Sequence, residues 1–184
     1  MAKKESKREI EVVNIVVSTA LMHDIPLEKM ASALSNTEYN PEQFPGLVIR
    51  IKEPKTSALI FSSGKVVCTG ARSMDKVEES IRKIIKSLEK INIKITIKPE
   101  IKIQNIVASG SIGMDLNLNT LAMKLDNTEY EPEQFPGFVY KLPEVKATFL
   151  LFSNGKVVCT GTKSEAEVNI AVDKLIEKLK KVRS

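Results

Sequence analysis

Histidine and cysteine are nearly absent from this 184-residue chain, which has one of the first and two of the second. Imidazole catalysis needs an oriented nucleophile or carboxylate alongside. Nothing around His23 supplies one, and the matching position of a second copy, described below, holds Met114. His23 therefore reads as a loop residue. Cys68 and Cys159 both sit in the context VVCTG. Neither has the Cys or His neighbours of a zinc site, so no metal is expected. They read as buried, reduced thiols rather than as a disulfide between equivalent positions. Glycine-rich phosphate loops, a GxSxG elbow and an HExxH helix are missing too. Without a convergent set of titratable groups, no catalytic residue, cofactor or enzyme activity is expected.

Long apolar runs are lacking as well. No stretch approaches the roughly 20 apolar residues of a membrane-spanning helix, and the start, MAKKESKREIE, has no signal-peptide h-region. The expectation is a soluble, intracellular chain without a membrane partner. Charge of one sign is only mildly in excess, at +5, which permits a polyanionic partner without demanding one. With 42% hydrophobic residues, the chain can bury one or two cores unaided by metals or disulfides.

What is present is a duplication. NTEYNPEQFPG (Asn36 to Gly46) returns as NTEYEPEQFPG (Asn127 to Gly137), and FSSGKVVCTG (Phe61 to Gly70) as FSNGKVVCTG (Phe152 to Gly161). VVNIV from Val12 and IQNIV from Ile103 stand at the same 91-residue offset, so the copies align without a gap. Two copies are too few for a solenoid and suggest one pseudo-two-fold molecule.

Each copy has the same elements. Glu9 to Ser18 is a Val- and Ile-rich strand, and Pro26 to Leu34 a short helix with proline near its first turn. Asn40-Pro41 and Pro45-Gly46 punctuate a loop. Leu47 to Ile51, Ser57 to Phe61 and Lys65 to Thr69 are strands, the last two joined by a hairpin turn in which Gly64 takes positive φ. From Ser73 to Lys90 a helix carries Val77, Ile81, Ile84, Ile85 and Leu88 on one stripe. Val168, Val172, Leu175, Ile176 and Leu179 repeat it, after a Ser164/Glu167 capping box. Ile91 to Glu100 links the copies.

Strand alternation then separates two faces. Val66 and Cys68 point one way and Lys65, Val67 and Thr69 the other; Ala58 and Ile60 oppose Leu59 and Phe61. Helices can cover only one face, which leaves an apolar face with no segment of the chain to cover it. Such a patch marks a binding surface, unless the sheet is a sandwich buried on both sides. Phe44 and Phe135, in Pro-flanked loops, each lie 17 residues before Phe61 and Phe152 at strand ends, a placement that suits apolar wedges as well as core packing. Asn14 and Asn105 interrupt apolar strands, each followed by a valine on the same face, Val16 and Val107. A buried amide without a partner costs about 1–3 kcal/mol, whereas an amide suits the acceptor-only minor-groove edge of A·T pairs. Thr69 and Thr160 can act likewise with a hydroxyl. Arg50, Lys52, Lys55, Lys65, Lys141, Lys146 and Lys156 flank this surface as candidate phosphate contacts.

With VNIV and QNIV, EYxPEQFPG and FSxGKVVCTG in duplicate, the chain resembles the TATA-box-binding protein family over roughly Ile10 to Val182. The resemblance implies an α+β fold of two pseudo-symmetric repeats, 1–95 and 96–184. Together these would form a curved ten-stranded antiparallel saddle with four helices on its convex face. It implies that Phe44 with Phe61, and Phe135 with Phe152, insert at two kinks in a TATA box. Asn14, Asn105, Thr69 and Thr160 would meet base edges over an apolar floor of Val16, Val107, Val67, Val158, Leu59 and Leu150. The acidic loop Glu129, Glu131 and Glu133 resembles the stirrup that binds the B-type initiation factor, with RNA polymerase joining that assembly. The short N-terminus is expected of archaeal members, hence a cytoplasmic, nucleoid-associated protein in a cell without a nucleus. The apolar concavity also permits self-association of the free protein. One departure is Pro143-Glu144-Val145 where the first copy has Lys52-Glu53-Pro54, which puts a counterpart of the Lys52 contact in doubt. A competing reading is a sheet face that binds single-stranded nucleic acid or a hydrophobic ligand, with the phenylalanines as stacking platforms.

Overall fold

A computed structural model of the protein describes residues 8–183. The reading of the start as free of an h-region falls largely on Met1 to Lys7, outside the described residues. Contacts divide the chain into two compact units, one of residues 14–104 and one of residues 105–183 with 8–13.

The first unit takes strand β1 (Glu9–Ala20) from Asn14 onward, then helix α1 (Leu27–Ala33), β2 (Thr37–Glu38), β3 (Leu47–Ile51), β4 (Thr56–Ile60), β5 (Lys65–Ala71) and α2 (Met74–Glu89). Its sheet order is β2-β3-β4-β5-β1, antiparallel at every step. The second unit takes β6 (Lys102–Ser111) from Asn105 onward. Then follow α3 (Leu118–Lys124), β7 (Thr128–Glu129), β8 (Phe138–Leu142), a 3₁₀ turn at Pro143–Val145, β9 (Ala147–Leu151), β10 (Lys156–Thr162) and α4 (Glu165–Arg183). Its order, β6-β10-β9-β8-β7, is the same pattern in the second copy. The ten antiparallel strands and four helices expected of an α+β chain are thus present, five and two to each unit.

The core of each unit lies between the helices and one sheet face. Leu47, Ile49, Ala58, Ile60, Val66 and Cys68 are buried, as are Val77, Ile81, Ile84 and Leu88 of α2. Each fully buried aliphatic side chain contributes about 1.5–3 kcal/mol, so this face alone drives collapse. The expected stripe differs at one place in each helix. Ile85 and Ile176 are only half-buried, and Ser80 and Ala171 take the inward position at 3.6-residue spacing.

Local ends are set by side chains. Ser73 caps α2, accepting from the Lys76 N–H at 3.3 Å. Pro26 stands at the N-cap of α1 (φ −79°, ψ 91°), next to its first turn, and Asn117 caps α3 in the second copy. Ser164 Oγ accepts from the Glu167 N–H at 3.1 Å, but the Glu167 carboxylate reaches the N–H of Lys163, one residue before the expected box partner. At the β4–β5 hairpin Gly64 has φ +92°, and a Cβ there would lie 2.5 Å from the His23 carbonyl oxygen. Glycine is required twice over. The two-residue edge strands β2 and β7, within the segment read as loop, are too short to show alternation.

Candidate nucleic-acid interface

The open face of each sheet is built from the residues that alternate with the core. In the first unit Val48, Leu59, Val67 and Ser18 form one cross-strand row, and Arg50, Ser57 and Thr69 the next. Val139, Leu150, Val158 and Ser109, then Lys141, Thr148 and Thr160, repeat both rows in the second unit. Leu59, Val67, Phe61, Leu150, Val158 and Phe152 are all half-exposed, while their neighbours on the other face are buried. Neither sheet is therefore the inner layer of a sandwich. Val16 and Val107 are half-exposed on the same side. Val48 and Val139, absent from the sequence expectation, extend the apolar row and could have been found by alternation in β3 and β8.

Asn14 and Asn105 have the partners that their position demands. Asn14 Nδ2 donates to Thr69 Oγ1 at 3.0 Å, and the Gly70 N–H donates to Asn14 Oδ1 at 2.7 Å. In the second unit Asn105 Nδ2 donates to Thr160 Oγ1 at 2.9 Å, and the Gly161 N–H to Asn105 Oδ1 at 2.8 Å. Each expected amide and hydroxyl thus come together, held by a backbone group that the sequence reading did not single out.

The phenylalanines also meet in the expected pairs. Phe44 and Phe61 lie with ring centroids 5.9 Å apart at 67°, and Phe135 and Phe152 at 6.2 Å and 76°, both edge-to-face. Phe44 and Phe135 are 43% and 48% exposed, so the pairs are not interior core. The glycine of each FPG motif makes room for them: a Cβ on Gly46 would lie 2.8 Å from Phe44 Cε1, and one on Gly137 2.5 Å from Phe135 Cε1. In the sequence these glycines mark only loop punctuation.

The candidate cations are all exposed, but they do not form one set. Lys65 and Lys156 open β5 and β10 on the open-face side, opposite Ala20 and Ser111. Lys141 lies opposite Thr148. Arg50 is already paired, both terminal nitrogens lying 3.2 Å from Glu38 Oε2. Lys52 lines a cleft with Lys83 and Lys86 of α2 and with Lys90 at its C-cap, and Lys55 occupies the turn before β4. In the second copy Pro143 replaces Lys52 within the 3₁₀ turn, and Lys146 ends that turn with φ +51°. Glu129, Glu131 and Glu133 are exposed on and after β7. Glu9 and Glu11, which are not among the candidate residues, line a groove of about 800 Å³ with Phe152, Lys156 and Val158.

Burial pushes the Cys68 and Cys159 thiols up to about 11, so both are protonated at neutral pH and lack nucleophilic character. Among the described residues, no cluster of three or more His, Cys, Asp or Glu side chains is placed to hold a metal ion. No helix there is long and apolar enough to cross a membrane.

A duplicated open face with these motifs has relatives. The family described as transcription factor TFIID (or TATA-binding protein, TBP) matches residues 9–91 and again 100–182. The chain belongs to this family. It is 51% identical to the TATA-box-binding protein of Methanocaldococcus jannaschii, covering 95% of this chain and 96% of that one. With the TATA-box-binding protein of Thermococcus kodakarensis it shares 49% identity over 96% and 93% of the two chains. Against that of Picrophilus torridus the figures are 52%, 95% and 96%. The solved structure of Methanococcus jannaschii TBP matches with a TM-score of 0.89 at 50% identity, covering 95% of this chain and 99% of that one. The ten antiparallel strands and four helices are thus the family's fold as well as this chain's.

Proposed function

We propose that the protein is a general transcription initiation factor that lays its open sheet faces into the minor groove of a TATA box and bends the duplex sharply. The observation that carries this reading is one arrangement present in both units. Each has an uncovered apolar row, an Asn–Thr pair beside it and an edge-on phenylalanine pair half in solvent. Phe44 with Phe61, and Phe135 with Phe152, are the wedges. Unstacking costs a few kcal/mol per base step and is offset by the extra surface that a bent duplex covers. Asn14, Asn105, Thr69 and Thr160 meet base edges, with Val16, Val107, Val67, Val158, Leu59 and Leu150 as the apolar floor. Arg50, Lys52, Lys55, Lys65, Lys141, Lys146 and Lys156 neutralise phosphates. Sequence choice comes from deformable TA-type steps and from the absence of the guanine amino group.

In this reading repeats 1–95 and 96–184 each bring one wedge pair and one polar pair. Glu129, Glu131 and Glu133 face the B-type initiation factor, through which RNA polymerase is recruited. The protein works without a cofactor or catalytic step, in the cytoplasm at the nucleoid. The test is titration with a duplex containing a TATAAA-like box, the same duplex with G·C pairs swapped in, and its separate single strands. Tight binding to the first alone is expected. Equal binding to single strands would replace this reading with a sheet-face binder of unpaired nucleic acid.

A further inference from the structure

Each Asn–Thr pair sits on a β-bulge, and the bulge decides which way the pair's hydrogens point. Between the partners Ile15↔Ala71 and Val17↔Cys68, β1 has one residue, Val16, and β5 has two, Thr69 and Gly70. Between Ile106↔Thr162 and Ala108↔Cys159, β6 has Val107 and β10 has Thr160 and Gly161. The extra residue is a glycine with φ +104° in one unit and +98° in the other. A Cβ at Gly70 would lie 3.1 Å from the Lys55 carbonyl oxygen, and one at Gly161 2.7 Å from that of Lys146. Glycine takes this backbone without strain and other residues do not. Turned this way, each glycine N–H is directed to the Oδ1 of its asparagine.

A backbone N–H only donates, so the asparagine atom facing it must be the oxygen. That fixes the carboxamide. Nδ2 gives one hydrogen to the threonine Oγ1 and keeps a second. The threonine oxygen, having accepted, has its own proton to direct. Its internal option in the first unit, Asn14 Oδ1 at 3.3 Å, is the longer contact to an oxygen that already serves Gly70. Both units therefore present hydrogens to the open face.

We infer that Gly70 and Gly161 are positioning residues for base selection: by turning the asparagine oxygens inward they make each polar pair a donor array. This rests on the minor-groove reading above. A·T pairs show only acceptors there, the A N3 and T O2, whereas guanine adds its N2 amino donor. Donor set against donor leaves both unpaired once water is expelled, which rejects G·C as well as favouring A·T.

The test separates the amino group from everything else in the base pair. A diaminopurine·T pair adds the amino group to A·T, and inosine·C removes it from G·C. Each substitution is walked through the box and binding is followed by fluorescence anisotropy. The wild type is expected to tolerate inosine·C within about threefold and to lose about tenfold or more with diaminopurine·T at pairs facing the polar pairs. Asn14→Asp keeps an acceptor for the Gly70 N–H but replaces the donor with a second oxygen. Its overall affinity falls, and its A·T to diaminopurine·T ratio moves toward one. Gly70→Ala, with folding checked by denaturant unfolding, moves the ratio the same way because the carboxamide is freed to flip. A wild type indifferent to the amino group at every pair overturns the minor-groove reading along with the inference. A discriminating wild type whose Asn14→Asp or folded Gly70→Ala variant discriminates equally well overturns the inference alone. Should Gly70→Ala not fold, hydrogen exchange in the wild type decides. A Gly70 amide that exchanges no more slowly than in Asn14→Ala overturns the positioning role, and slower exchange supports it.

Discussion

Thr56 Oγ1 and Ser80 Oγ lie 2.8 Å apart, a hydrogen bond between β4 and α2 in the buried layer of the first unit. The equivalent positions of the second copy hold Ala147 and Ala171, also buried. One half therefore satisfies this site with a polar pair and the other with methyl groups. Ser80→Ala leaves the Thr56 hydroxyl with only a 3.4 Å contact to the Pro54 carbonyl and should cost about 1–2 kcal/mol. Thr56→Val with Ser80→Ala should recover most of that loss. Urea unfolding of the three proteins checks this, and a double variant no more stable than Ser80→Ala contradicts it.

Wedge removal should separate binding from folding. Phe135 is half in solvent, so Phe135→Ala should cost only about 1 kcal/mol of stability, mostly its ring contact with Phe152. Phe152→Ala should lower both affinity and bend angle, read by energy transfer between labels at the duplex ends. A bend left unchanged by Phe152→Ala would end the wedge assignment.

The hairpin glycine is a folding determinant. Gly64→Ala adds a methyl 2.5 Å from the His23 carbonyl oxygen at φ +92°. A loss of about 2 kcal/mol or more is expected, seen as a lower midpoint in thermal unfolding. A neutral outcome would mean that the segment around His23 moves aside.

The buried thiols set an alkaline limit. Both are held at about 11 against 9.0 for the free group, so the unfolded chain releases these protons first as pH rises. The stability they contribute is fully present below pH 9 and is lost between about pH 9 and 11. Cys68→Ala with Cys159→Ala should flatten that part of the stability profile relative to wild type. In the native wild type, thiol reagents should react slowly at pH 8 and quickly only after unfolding.

The sequence made visible what depends on period and repetition. The alternation of Leu59 and Val67 against Ile60 and Val66 showed which sheet face stays open, and the cost of a lone amide showed that Asn14 needed a partner. It did not show that the partner is Gly70. A bulge arises from the pairing of strands more than 50 residues apart and leaves no local mark beyond the glycine itself. The Glu167 carboxylate missed its expected cap partner by one residue because the chain before α4 turns to offer the Lys163 N–H. Ser80 likewise holds an inward place that the stripe had given to Ile85, since both fit a helical period, and the second copy makes the same choice with Ala171 over Ile176.

The ion pair of Arg50 with Glu38 bears on how the interface answers to ionic strength. A lysine open to water arrives at a phosphate with its full charge and displaces mobile cations from the polyanion. Arg50 must first leave a carboxylate, so its exchange of one anion for another is nearly charge-neutral for the protein. The slope of log affinity against log salt should therefore undercount the basic side chains that touch the backbone, and Glu38→Gln should steepen it.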